Sequence, residues 1–134
     1  MFASACTPFE WAYEEIGRFT SPDDVVDAVW VRGSGGATTG FVFDLYLVPK
    51  GLKFDKDASS FKRAVFSGNH FDDLQIVWRE PKQLEVRFKH ARILGYSNYW
   101  NYWDPENPKE DRHYVVETRL VPQVEGSTLP PEDR

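Results

Sequence analysis

Gly33-Ser34-Gly35-Gly36-Ala37-Thr38-Thr39-Gly40-Phe41-Val42-Phe43-Asp44-Leu45-Tyr46-Leu47-Val48-Pro49 is a glycine-rich loop that runs into an alternating apolar stretch. From Phe41 onward, Phe41, Phe43, Leu45 and Leu47 fall on one side and Val42, Asp44, Tyr46 and Val48 on the other, the period of two that a pleated strand imposes. The first face is wholly apolar and is expected to be buried. The second carries Asp44 and Tyr46 and is expected to be partly wet or to face a loop. Pro49 has no N–H to give to a ladder, and Lys50-Gly51 reads as the turn that follows. The loop before the strand reads as a hairpin connection. Its functional alternative is a backbone anion cradle with Gly35, Gly36, Thr38 and Thr39 as the candidate loop residues. The pattern fits that alternative poorly: a Walker loop needs Gly-Lys-Ser/Thr where Gly40 is followed by Phe41, and the dinucleotide fingerprint needs glycine where Thr38 stands.

The same periodicity extends in both directions. Ser21-Pro22-Asp23-Asp24 is a turn, and Val25 to Val31 is a strand rich in β-branched residues. Residues 50–60 are polar and lysine-rich, a loop. Phe61 to Ser67 reads as a third strand ending at a Gly68-Asn69 turn. Leu74 to Arg79 and Leu84 to Lys89 alternate on either side of Glu80-Pro81-Lys82-Gln83, a hairpin with proline at a type I turn position. Glu85, Arg87 and Lys89 would form a charged outer face. Residues 91–96 extend that strand or begin another, and Tyr114 to Leu120 forms the last. Ahead of the strands, Thr7-Pro8-Phe9-Glu10 has the form of a capping box, and Phe9, Ala12, Tyr13 and Ile16 follow helical spacing, which predicts a short helix over 8–17. The fold expected is mainly β, a single antiparallel β-sheet or sandwich of about six or seven strands with a short N-terminal helix. Residues 1–134 form a single domain, with the β core over 20–121 and a flexible tail over 122–134.

Composition narrows the function classes. The aromatic share is 16%, which suits sheets. No apolar run reaches the length of a membrane span. The net charge of −5 is uneven: −5 over 1–49, +4 over 50–92 and −4 over 93–134. An acidic chain is a poor nucleic-acid binder, because phosphate neutralisation dominates that affinity. The basic middle is interspersed with carboxylates and reads as a solvated mixed face. His70 stands near Asp72 and Asp73, but His90 and His113 are distant and no metal-ligand spacing is present, so neither metal nor cofactor is expected. No catalytic motif nominates a nucleophile.

Two local features suggest biology. Tyr96, Tyr99, Trp100, Tyr102 and Trp103 crowd into eight positions, a candidate partner-binding cluster, since Tyr and Trp are enriched in interface hot spots. Part of that cluster is expected to be structural, because alternation buries one side of it. Ala3-Ser4-Ala5-Cys6 has the form of the tail of a bacterial lipoprotein signal, with Cys6 as the acylated residue and the apolar part of the signal upstream of Met1.

At Ser21-Pro22-Asp23, Gly36-Ala37-Thr38-Thr39-Gly40-Phe41, Tyr46-Leu47-Val48-Pro49-Lys50-Gly51 and Trp78 through Phe88, the chain resembles a group of small bacterial exported proteins, many of them lipoproteins. In that group an SPDG turn, a strand, a CGATT-F stretch and another strand recur, followed by a Trp-containing strand and one of the LEVRY kind. The resemblance covers roughly residues 20–120. It departs at Asp24, where glycine is usual, and at Gly35, where cysteine is common. It implies a β fold in the periplasm or anchored to the cell envelope, and brings no established activity. The expectation is therefore a non-enzymatic envelope protein that binds a protein partner through a sheet edge or the 96–103 segment, one version being a toxin-immunity protein. The alternative is a small-molecule-binding or enzymatic domain using the Gly33–Gly40 loop with Asp44 and His70.

Overall fold

The computed structural model describes residues 12–34, 40–102 and 114–123. They form nine strands in two packed sheets. A five-stranded antiparallel sheet runs in the order β1 (Ala12–Thr20), β2 (Val26–Ser34), β3 (Phe41–Pro49), β4 (Phe66–Asp72) and β7 (His90–Tyr96). A four-stranded sheet runs in the order β5 (Gln75–Glu80), β6 (Gln83–Phe88), β9 (Tyr114–Pro122) and β8 (Tyr99–Tyr102). The mainly β expectation is met by the sandwich form. Among the described residues no helix is long and apolar enough to cross a membrane.

β2 and β3 pair in unbroken register from Val26↔Pro49 to Ser34↔Phe41, so the glycine-rich stretch connects a hairpin. Leu45 and Leu47 point into the space between the sheets, where Val26, Ala28, Trp30 and Phe66 meet Leu84, Val86, Phe88 and Val116 from the other sheet. The Trp30 ring is the centre of this core. It stacks on Phe43 with centroids 5.5 Å apart and lies 6.2 Å from Phe66 and 5.7 Å from Phe71. Burying such rings is the largest single source of core stabilisation in a sheet protein of this size.

The opposite face of the five-stranded sheet is covered by the segment that joins β3 to β4. Val29, Val31, Tyr46 and Val48 pack there against Phe61, Phe54, Ala58 and Ala64. Phe61 sits in a single 3-10 turn, Ser59–Phe61, and its ring meets Tyr46 and Phe54 edge-on at 5.5 and 5.0 Å. The second face of β3 does face a loop.

A polar knot pins this overlay to the sheet. Asp27 is 2% exposed. Its carboxylate accepts from Arg18 Nη1 at 2.8 Å, from the Thr20 hydroxyl at 2.6 Å and from the Gly51 backbone N–H at 3.0 Å. Burial pushes its pKa up, but the Gly51, Thr20 and Arg18 bonds together outweigh it and hold the carboxyl below its ordinary value. Beside it, the Ser21–Asp24 turn is closed by the Ser21 hydroxyl, which accepts from the Val25 and Val26 N–H groups.

Four expectations are corrected. Residues 12–17 of the predicted helix belong to β1, and residues 8–11 lie outside the described residues. The register of β1 shifts between Glu15 and Gly17, so Ile16 is an extra residue that breaks the alternation and mimics helical spacing; pairing with β2 then overrides the local propensity. Phe61 to Ser67 is not the third strand: that strand starts at Phe66. Gly68-Asn69 is not a turn but the middle of β4. A Cβ at Gly68 would stand 2.5 Å from the Arg92 carbonyl oxygen, so the glycine serves the close approach of two strands. Finally, the sheets are not all antiparallel and hold more strands than expected. β6 and β9 pair in parallel, from Gln83↔Glu117 to Phe88↔Pro122, because the chain crosses to the other sheet at Lys89 before returning.

The sandwich is joined along both sides. On one, the Trp78 indole N–H of β5 donates to the Phe19 carbonyl of β1 at 2.8 Å. On the other, the Tyr96 hydroxyl of β7 donates to the Thr118 carbonyl of β9.

Candidate functional site

The second of those sides carries the aromatic cluster. β7 is the edge of the five-stranded sheet and β8 the edge of the four-stranded one, and only Ser97-Asn98 separates them. That step is fastened to both layers: the Ser97 N–H donates to the Val65 carbonyl, and the Thr118 N–H donates to the Asn98 carbonyl, each at 2.8 Å. The sheet edge and the aromatic segment, alternatives in the sequence, are therefore one corner of the molecule.

Its side chains divide sharply. Trp100 lies opposite Val116 and is half-buried against the main core. Tyr99, opposite Glu117, points outward and is 57% exposed. Leu94 is 52% exposed, and Ile93 and Tyr96 are also open to solvent. Two consecutive apolar residues reach solvent because β7 bulges: Ser67 pairs with Gly95 and Gly68 with Ile93, which leaves Leu94 as the extra residue. Tyr96 is anchored by its hydroxyl while part of its ring stays exposed; burial, then the Glu117 carboxylate, raises its pKa, with Arg119 opposing. Beneath Tyr99 a cavity of about 430 Å³ opens, with Trp100 and Asn101 on one wall and Arg63, Ala64 and Val65 on the other.

The other edges differ. β1 also exposes Tyr13, Ile16 and Phe19, but Glu14, Glu15 and Arg18 intervene, with Arg18 bonded to Glu15 and Arg32 to Glu14. On β5 the exposed positions are Gln75, Arg79 and Glu80. The outward residues of β6, Glu85 and Arg87, are charged, yet Glu85 is 4% exposed, because Arg87 and Arg79 close over it. Burial raises the Glu85 pKa, and the Arg87 and Arg79 contacts reverse that and hold it low.

The remaining sequence candidates are dispersed. Cys6, Gly35, Gly36, Thr38, Thr39 and Trp103 lie outside the described residues, and Tyr102 is placed only by its backbone pairing with Tyr114. Asp44 lines a separate cavity on the overlay side. His70 and Asp73 both have φ of 53°, a left-handed conformation that His and Asp tolerate: His70 lies in β4 where the pairing with β7 shifts between Asn69 and Asp72, and Asp73 lies in the connection to β5. His90 Nδ1 lies 3.3 Å from Asp72 Oδ2. Among the described residues no group of three His, Cys, Asp or Glu side chains could hold a metal ion. Sequence reasoning missed Ile93, Leu94 and Arg63. The one available signal was Ile93-Leu94 itself, two adjacent apolar residues in a stretch that otherwise alternates with charge.

Comparison with protein-family models, curated proteins and solved structures finds no match to this chain.

Proposed function

We propose that this chain is a non-enzymatic protein-binding module and that its partner docks on the β7–β8 corner. The observation that supports this most is that Ile93, Leu94, Tyr96 and Tyr99 are all exposed on β7 and β8, edge strands of the two sheets joined by only two residues. An edge strand offers unpaired backbone groups, and soluble proteins commonly protect such edges with charge. Here the second half of β7, Ile93-Leu94-Gly95-Tyr96, carries none. Tyrosines anchored at one end give large contact area at low entropic cost, which suits them to hot spots. The reading extends to a bacterial envelope location through Cys6, on the resemblance to exported proteins. In those proteins glycine is usual where this chain has Asp24, whose φ of 65° is the conformation that favours glycine. A periplasmic immunity protein would be one member of this class.

The test is capture of a partner by the tagged chain from its own cells, beside a folded Leu94→Ser/Tyr99→Ser variant. The proposal expects one stoichiometric protein retained by the first and lost by the second. Retention by both would remove the corner from the account.

A further inference from the structure

The cavity on the overlay side has a chemistry that the docking corner does not use. It is an open cleft of about 380 Å³ between β3 and the segment joining β3 to β4, lined also by Tyr13 of β1, at the small end of the range for ligand pockets, roughly 300–1,000 Å³. Its apolar wall is Tyr46, Phe54 and Phe61, rings already fixed against one another. Its charges are divided between its two sides. The sheet contributes Asp44. The overlay contributes Lys56, Asp57 and Lys62, a net positive charge.

These charges do not neutralise one another. Among the described residues Asp44 has no cationic partner, and its one hydrogen bond is a long contact of 3.4 Å from the Tyr46 hydroxyl. Lys62 and Lys56 likewise pair with no carboxylate; the Lys56 ammonium lies 5.8 Å from the centre of the Tyr13 ring. Burial, then Asp44, raises the Tyr46 pKa, so its hydroxyl stays a donor. A carboxylate on one side and ammonium groups on the other, held apart across a space with an aromatic wall, match a molecule that carries both charges close together.

We propose that this cavity binds a small zwitterion of the α-amino-acid class with an apolar side chain. The ligand's ammonium meets Asp44, its carboxylate meets Lys56 and Lys62, and its side chain lies on Phe54 and Phe61. Asp44 is half-buried and Lys56 and Lys62 are exposed, and each charge-assisted contact there supplies a gain of up to about tenfold in affinity.

The experiment is a titration of the full chain followed by amide NMR shifts, using L-phenylalanine, phenylacetate and phenethylamine. The three probes share the ring, and the last two each lack one charge. Saturable shifts are expected around Tyr46, Phe61 and Lys62, with L-phenylalanine bound up to about tenfold more tightly than either singly charged probe. Asp44→Asn should erase its advantage over phenylacetate, and Lys56→Met/Lys62→Met its advantage over phenethylamine. Equal binding of the three probes, shifts centred elsewhere or no saturable shift overturns the proposal. The wild-type comparison alone carries that decision if a variant fails to fold.

Discussion

Replacing Asp27 by Asn tests whether the overlay is held by charge. Asp27 is buried and accepts three hydrogen bonds, one of them from a backbone N–H in the Lys50-Gly51 turn that starts the overlay. Asparagine keeps the shape and one acceptor oxygen, but it loses the charge and turns an NH2 group toward a donor. A hydrogen bond to a charged group contributes about 1 kcal/mol more than a neutral one, so three such bonds give about 3 kcal/mol. The Arg18 share is discounted because that side chain is partly exposed and keeps its bond to Glu15. The expected loss at pH 7 is therefore about 2 kcal/mol, read as a shift of the urea midpoint by tryptophan fluorescence. The pH dependence has a definite sign. The folded pKa lies below the ordinary value of about 4, so the contribution is present above that value and is lost as pH falls through the folded pKa. The gap between wild type and Asp27→Asn should thus narrow at pH 3. A gap below about 0.5 kcal/mol at pH 7, or one that persists unchanged in acid, refutes the reasoning.

Four further substitutions separate structural from surface roles. Trp100→Ala should cost about 3 kcal/mol in chemical denaturation, whereas Tyr99→Ala should change stability by less than about 0.5 kcal/mol, since only the first ring packs on the core. Gly68→Ala places a methyl group against the Arg92 carbonyl and should cost about 2 kcal/mol or more, with the fastest amide exchange appearing in β4 and β7. Thr118→Val should stabilise the chain by about 1 kcal/mol in thermal or urea unfolding, because the buried Thr118 hydroxyl oxygen has no hydrogen-bond partner.

How far the sequence could be read depended on how local the signal was. Phe41 to Pro49 alternates without interruption, and its strand and its hairpin partner follow directly from that pattern, but of the face expected to be buried only Leu45 and Leu47 are, while Phe41 at the loop end of the strand is 48% exposed. The β5–β6 hairpin around Pro81-Lys82 was equally legible. Where a bulge inserts a residue, the period of two fails: Ile16 made β1 resemble a helix, and Leu94 hid the solvent-facing edge of β7. Gly68 looked like a turn because its reason for being glycine is the Arg92 carbonyl of another strand. The parallel pairing of β6 with β9 depends on which sheet each strand joins, a choice set by the whole core. The aromatic cluster was visible at once, but its division into a core-facing Trp100 and a solvent-facing Tyr99 emerges only from the pairing of β8 with β9. Asp27, a carboxylate in an apolar strand, gave no sign of its three partners, which come from β1 and from the turn after β3.

The most direct test of the docking corner is site-specific photo-crosslinking in the cells that make the protein. A benzophenone side chain is placed at position 99, on the corner, and in a parallel chain at position 75, on the exposed β5 edge. The account predicts one discrete adduct from position 99 and none from position 75. No adduct from position 99, or the same adducts from both positions, would contradict it.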